Sequence, residues 1–392
     1  MINNVSIKNY KSVVDVSLPL GRFNLLIGAN GCGKSNILEG ITMGAAASSD
    51  MLKYEYFSLR GIRAVEPQFM LPAFEDVNVG QMHIEIVDDK GNTSSYIISY
   101  NEEAKPPHWE VDSVSINGLI DYLKRQVSEK PSQSAEIVDL IEKIMETQKM
   151  VPGILRLKHP VDNKAEIIST NPDLVQFIIY SLEESKLRKA DDSNHIYPFG
   201  RHGEGLFSFL KKIAQRPEAV NFFNEIKRNL LILDWFDDME IPSSQLSNEF
   251  NIKLKDSYLA ETINMFDQRS TNEGFLYLLF YLTLVISDET PNFFAIENID
   301  TAFNPKLCHE VVRRLIKLAR KHDKQIIATT HNPAVLDGLD LHDEEQKLMV
   351  VQRSVDGYTK VRTLNNKDIV KSDLPLSQLW LRGFIGGLPN NF

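Results

Sequence analysis

The stretch that most constrains this chain runs from Phe23 to Leu38, FNLLIGANGCGKSNIL. Gly28, Gly33, Lys34 and Ser35 have the spacing of a phosphate-binding loop: glycine, four residues, glycine, lysine, serine. Phe23 to Ile27 is a short apolar run that reads as a buried strand, and Asn36 to Ile41 reads as the first turns of a helix. Strand, glycine loop and helix is the order the chemistry needs. The glycines let backbone N–H groups curl around phosphate oxygens, and the helix N-terminus adds partial positive charge. At these positions Lys34 reaches the β- and γ-phosphates, and the Ser35 hydroxyl ligates Mg²⁺.

Two downstream strands offer partners for the loop. Asn292 to Ile296 is apolar and delivers Glu297 to its C-terminal tip. Strand tips in such sheets lie at the ligand edge, and a carboxylate there holds Mg²⁺ in nucleotide-hydrolysing sites. Gln325 to Thr329 is a second buried strand, followed by Thr330 and His331. His331 is therefore expected at the same edge, close to a γ-phosphate or the attacking water.

The rest of the chain bounds what surrounds this site. At 392 residues it can carry one large domain with an insertion, or two to three domains. Alternating runs at Val5–Ile7, Val13–Leu18, Gln81–Val87 and Ser94–Tyr100 predict strands, the last two joined as a hairpin around Asp88-Asp89-Lys90-Gly91. A second hairpin is expected over Lys347–Ser354 and Tyr358–Leu364. Helices are expected at 37–47, 119–127, 135–150, 173–187, 205–215, 217–231, 274–286 and 305–322. The segment Lys186–His202 reads as a mobile polar loop, and Asp234–Asp238 as a surface turn rather than a metal site. The apolar tail Trp380–Pro389 should pack on this chain or on a partner.

Net charge is −10, which disfavours a dedicated duplex-binding protein without excluding nucleic acid. The basic run at 311–324 reads as the solvated face of a helix. The two cysteines, Cys32 and Cys308, imply no disulfide framework, and Cys32 reads as a tolerated small side chain in the loop. The longest apolar run, Phe275 to Ile286, is too short to span a bilayer. With no signal sequence evident, a cytoplasmic location and no membrane partner are expected.

Four motifs carry a resemblance. Ile7-Lys8-Asn9-Tyr10-Lys11-Ser12, the loop from Ile27 to Asn36, Glu297 to Pro305, and Thr330-His331-Asn332-Pro333 resemble, in order, those of the SMC, RecF and OLD group of ABC-type ATPases. The resemblance covers residues 1–48 and 265–335. It implies an α/β P-loop ATPase head with a mainly helical insertion. The head would comprise 1–114 and 261–392, and the insertion 115–260. It implies ATP and Mg²⁺ as ligands, with Gly28, Asn30, Gly31, Cys32, Gly33, Lys34, Ser35 and Asn36 around the nucleotide. Ser35 and Glu297 would hold the metal, and Lys11 would approach the nucleotide. Gly274, in Asn272-Glu273-Gly274, would be the signature that meets the γ-phosphate of a second subunit.

The departures are as informative. The group has Asp then Glu at the strand tip, where this chain has Glu297 then Asn298. An amide cannot accept a proton as a carboxylate does. Asn298 is thus left to orient water, with Asp300 as a substitute carboxylate and His331 as the third catalytic candidate. Asn304 stands where the group usually has aspartate. These features imply a homodimer, or higher oligomer, formed around ATP, with slow turnover. Size and the helical insertion resemble ATPase subunits of bacterial anti-phage and abortive-infection systems. They imply a switch controlling a separate effector protein. The alternative is a RecF-like or SMC-like DNA-repair ATPase.

Overall fold

The computed structural model describes residues 1–77, 79–111, 156–157, 167–168, 171–189, 196–241, 252–260, 265–267, 269–364 and 374–388. The helices expected at 119–127 and 135–150 lie outside the described residues.

Along the chain, strands β1 (Ile2–Tyr10), β2 (Val13–Pro19) and β3 (Phe23–Ile27) lead into helix α1 (Lys34–Ser48). Helices α2 (Tyr54–Arg60) and α3 (Pro67–Met70) follow, then strands β4 (Gln81–Asp88), β5 (Thr93–Asn101) and β6 (His108–Val111). Next come β7 (Arg156–Leu157), β8 (Ile167–Ile168), α4 (Pro172–Val175), β9 (Ile179–Tyr180) and α5 (Glu184–Leu187). Helices α6 (Leu206–Ala214) and α7 (Ala219–Leu230) precede strands β10 (Phe236–Glu240), β11 (Lys253–Asp256) and β12 (Phe266–Asp267). The last part runs α8 (Glu273–Ile286), β13 (Phe293–Ile296), α9 (Pro305–Lys321), β14 (Gln325–Thr329), a 3₁₀ turn (Pro333–Gly338), β15 (Gln346–Arg353), β16 (Thr359–Leu364) and α10 (Leu376–Leu381).

The central sheet has the order β16-β15-β3-β14-β13-β9 and is parallel except for the β15–β16 hairpin. Its middle strand, β3, alternates between faces. Phe23, Leu25 and Ile27 enter the core under α8 and α9, and Leu26 enters the core around α1. A strand buried on both faces reads as a continuous apolar run, which is why it was legible.

A second sheet, antiparallel with order β2-β1-β4-β5-β6, packs on the far side of α1. That explains why α1 is rich in small residues and only weakly amphipathic. A Cβ on Gly40 would lie 3.0 Å from the Ile7 side chain, and one on Gly44 would lie 2.9 Å from Ile84 Cγ2. The helix is thus sandwiched between sheets, and only Ser35 and Asn36, at its start, escape full burial.

The segment 173–187 corrects the single helix expected there. The chain makes one turn (α4), capped by Asn171 Oδ1, which accepts from the Asp173 N–H at 2.9 Å. It then extends as β9, whose Ile179 and Tyr180 pair with Ala295 and Ile296 of β13. The run Phe177-Ile178-Ile179-Tyr180 is aromatic and β-branched, and the open edge of β13 draws it into the sheet. The described part of Lys186–His202 is fastened: Ser181 N–H donates to the Arg201 carbonyl at 2.8 Å, and Phe199 is buried. Asp237 and Asp238 lie on β10, not on a turn, and pair with Lys255 and Lys227 at 2.6 Å each. No cluster of metal-ligating side chains occurs among the described residues.

Candidate nucleotide site

The phosphate loop joins β3 to α1 at the C-terminal edge of the parallel sheet. Two glycines are obligatory in this geometry. Gly33, the N-cap of α1, has φ of 110°, and a Cβ there would lie 2.0 Å from Thr359 Oγ1. Gly28 has φ of 153°, and its Cβ would lie 2.1 Å from the Val351 carbonyl oxygen. No side chain caps α1, so the first N–H groups of the helix point to the loop without a side-chain acceptor. Uncapped helix N–H groups are what an anion binds.

Lys34 lies over the loop, its Nζ donating to the Gly28 carbonyl at 2.8 Å and the Ala29 carbonyl at 3.1 Å. Burial holds its pKa below the ordinary lysine value, against the opposing pull of Cys32 and Glu297. Cys32 is buried beneath it, with Sγ 3.8 Å from Nζ. Ser35 Oγ donates to Glu297 Oε1 at 2.6 Å, joining residues 262 positions apart. Hydroxyl and carboxylate form a pair of hard oxygen donors, the chemistry Mg²⁺ prefers. Loop, lysine and oxygen pair therefore fit a nucleoside triphosphate with Mg²⁺.

The other side of the site comes from the ends of β13 and β14. Asn298 is exposed, with φ of 50°, and its N–H donates to Thr329 Oγ1 at 3.0 Å. Asparagine tolerates this left-handed conformation better than most residues. Asp300 Oδ1 accepts from Thr330 Oγ1 at 2.5 Å, which fixes it beneath the switch segment. His331 is exposed at the rim. Partial burial and then the Lys34 charge hold its pKa below the usual histidine value, so it is neutral near pH 7. Asn304 caps α9, its Oδ1 accepting from the Leu307 N–H at 2.9 Å.

Gly274 lies elsewhere. A Cβ on it would meet the Ala302 carbonyl oxygen at 3.1 Å and Phe303 at 3.8 Å. Asn272 caps α8 through the Phe275 N–H at 2.9 Å. This helix start opens onto a cleft of about 570 Å³ lined by Trp235, Asn272, Gly274, Ala302, Asn304 and Glu310 among others.

Several residues around the loop escaped the sequence reading. Glu39 of α1 is 1% exposed and accepts from Lys11 Nζ and Arg63 Nε at 2.5 Å each and from Tyr10 OH at 2.9 Å. Lys11 is thus claimed by a buried carboxylate rather than free to meet a ligand. Arg63 Nη2 also donates to Asn36 Oδ1 at 3.2 Å, and Asn36 Nδ2 to Ser12 Oγ at 2.7 Å. Ser12 Oγ lies 2.7 Å from Thr359 Oγ1, which donates to the Cys32 carbonyl at 3.0 Å. Arg353 Nε grips the Gly31 carbonyl at 2.9 Å. The loop is therefore held by a polar chain from three separate parts of the sequence. Glu39→Gln keeps the volume and removes the charge, leaving the Lys11 ammonium unpaired and largely buried. The expected loss is about 3 kcal/mol, read as a lower urea midpoint with unchanged slope.

A glycine loop on the middle strand of a parallel sheet, with an antiparallel sheet packed on its helix, is the fold of an SMC-like P-loop ATPase head. The Smc head domain with an extended coiled coil, bound to the C-terminal domain of ScpA and derived from Pyrococcus furiosus, is similar in fold, with a TM-score of 0.50 and 13% identity over 94% of this chain and 98% of that one. A second Smc head, bound to the C-winged helix domain of ScpA, gives a TM-score of 0.47 with 17% identity over 94% and 99% of the two chains. The SMC head domain from Thermotoga maritima gives 0.44 with 13% identity over 93% and 99%. No curated protein matches the sequence. The AAA ATPase domain family matches residues 1–277, and the chain belongs to that family. The match takes in the phosphate loop and Gly274 and ends before Glu297, Asn298, Asp300 and His331.

Proposed function

We propose that the protein binds ATP with Mg²⁺, pairs head to head with a second copy around two nucleotides, and hydrolyses ATP slowly. It then serves as a switch for a separate effector protein in antiviral, anti-phage defence. The observation that carries the reading is the Ser35–Glu297 pair at 2.6 Å beside a complete phosphate loop, with an amide, Asn298, next to it in place of a carboxylate.

In this reading the N–H groups of Asn30, Gly31, Cys32, Gly33 and Lys34 cradle the phosphates. The Lys34 ammonium leaves the Gly28 and Ala29 carbonyls for phosphate oxygens. Ser35 and Glu297 would hold the metal, which would supply positive charge to offset that of the phosphates. Neutral His331 offers a ring nitrogen to the γ-phosphate or to the water. Asn298 orients that water but cannot take its proton. Asp300, held by Thr330, steadies the segment that carries His331. Asn36 braces the loop through Ser12 and Arg63.

Gly274 neighbours Ala302 and Phe303 rather than its own phosphate loop, and it opens onto a cleft, which suits contact with a partner's nucleotide. Gly274→Val tests this. Its branches must turn into the cleft, away from the Ala302 carbonyl. Overpacking of this kind costs about 1–3 kcal/mol. ATP-dependent dimerisation, measured by light scattering, should weaken by at least about tenfold, with ATP affinity of the monomer preserved. Dimerisation at wild-type affinity would remove the head-to-head arrangement.

A separate protein partner is in keeping with the ScpA domain carried by the Pyrococcus head. DNA binding finds less support. Among the cations of α9, Arg314 meets Asn229, Arg320 meets Asp343 and Glu345, and Lys321 meets Glu225. With Arg313 and Lys317 left exposed on the same helix, these pairings reduce a phosphate footprint there without removing it.

A further inference from the structure

Residues 376–388 run back across the central sheet to the phosphate loop. Ser377 N–H donates to Asp337 Oδ1 at 2.9 Å, tying the segment to the 3₁₀ turn just beyond His331. Leu379, Trp380 and Ile385 are buried in the core under β3. Arg362 Nη2, from β16, donates to the Ile385 carbonyl at 2.8 Å. Gly386 and Gly387 both have φ near +78° and bring the backbone to the loop. A Cβ on Gly387 would lie 2.8 Å from Val350 Cγ1 and 3.4 Å from the Cα of Gly28. Val350 is the register partner of Ile27.

The residue backed in this way is the one whose carbonyl receives Lys34. We propose that residues 376–388 are a strap that positions Gly28, and through it the Lys34 ammonium, so that strap docking and nucleotide binding strengthen each other. This rests on the ATP-binding reading above. Gly387 and Arg362 are positioning residues, since neither reaches the phosphates.

Trp380 Nε1 is buried without a hydrogen-bond partner, and Leu381 and Phe384 face solvent at 57% and 68% exposure. A buried donor left unmade opposes docking, whereas the buried Leu379, Trp380 and Ile385 favour it. Linkage requires the two effects to be equal: whatever the strap adds to nucleotide affinity, nucleotide adds to strap docking.

The test uses the full chain with Mg²⁺ and ATPγS. In wild type, hydrogen exchange at the amides of Arg382, Gly383, Phe384 and Gly386, which close the turns of the strap, should slow on saturation with ATPγS. Gly387→Val, blocked by Val350 and by its positive φ, should raise the ATPγS Kd by about tenfold, with Gly387→Ala intermediate. Arg362→Met, an edge-strand change that spares the core, should weaken binding in the same direction and abolish the exchange response. Strap exchange unchanged by ATPγS in wild type, or unchanged affinity in both Gly387→Val and Arg362→Met, would overturn the proposal. Wild-type binding, measured first, separates the two readings. Absence of binding removes the ATP reading and this one with it, whereas binding with an unresponsive strap removes only the strap.

Discussion

Lys34→Ala should abolish nucleotide binding and, with it, any ATP-dependent dimer. The side chain is 8% exposed, and its amine donates only to two loop carbonyls and the Cys32 thiol. No carboxylate of the described fold is hydrogen-bonded to that ammonium, so the variant should fold. What it loses is the cation for the phosphates. Hydrogen bonds to charged groups contribute about 1.5–3 kcal/mol each. Two of them amount to more than about 100-fold in Kd. Calorimetry reads the affinity, and sizing reads the dimer. If both survive in a folded variant, the loop is not a nucleotide site.

Asn298→Glu should accelerate turnover by about 10²–10⁴-fold, the usual contribution of a positioned general base. The site already holds Glu297 on Ser35, so the added carboxylate would stand next to the proposed metal ligand, where the resemblance places the general base. Its backbone cost is small but real: φ of 50° suits asparagine better than glutamate. The gain is therefore expected toward the lower end of the range. Steady-state phosphate release from both proteins is the measurement. A wild type already turning over on the order of 10 s⁻¹, an ordinary enzyme rate, would sink the switch reading. So would a variant no faster than wild type while still binding ATP.

How far the sequence could be read follows from the locality of each feature. The loop, β13, β14 and both hairpins were legible because each is a short run with its own period or turn chemistry. Glu39 was not. It sits within α1 as an unremarkable acidic residue, and its partners Lys11 and Arg63 come from other elements. The strand β9 was read as part of a helix because two residues beside β13 carry no period of their own. The tail was legible as apolar, but its destination depended on glycines with positive φ that no pattern announces. Asn298 and Gly274 were singled out through resemblance. The backbone conformation of the first and the neighbours of the second come from the fold.

The middle strand of the sheet has a consequence for synthesis. β3 ends at residue 27, yet its two neighbours are β14 and β15, separated from it by about three hundred residues of chain. An emerging polypeptide therefore carries the entire phosphate loop long before either neighbouring strand of β3 exists. A ribosome that has released residues 1–277 has completed the part matched by the family and neither flanking strand. Closing so distant a pairing is slow. The nascent loop strand, apolar and without partners on either edge, must stay out of trouble until residue 353 has cleared the exit tunnel.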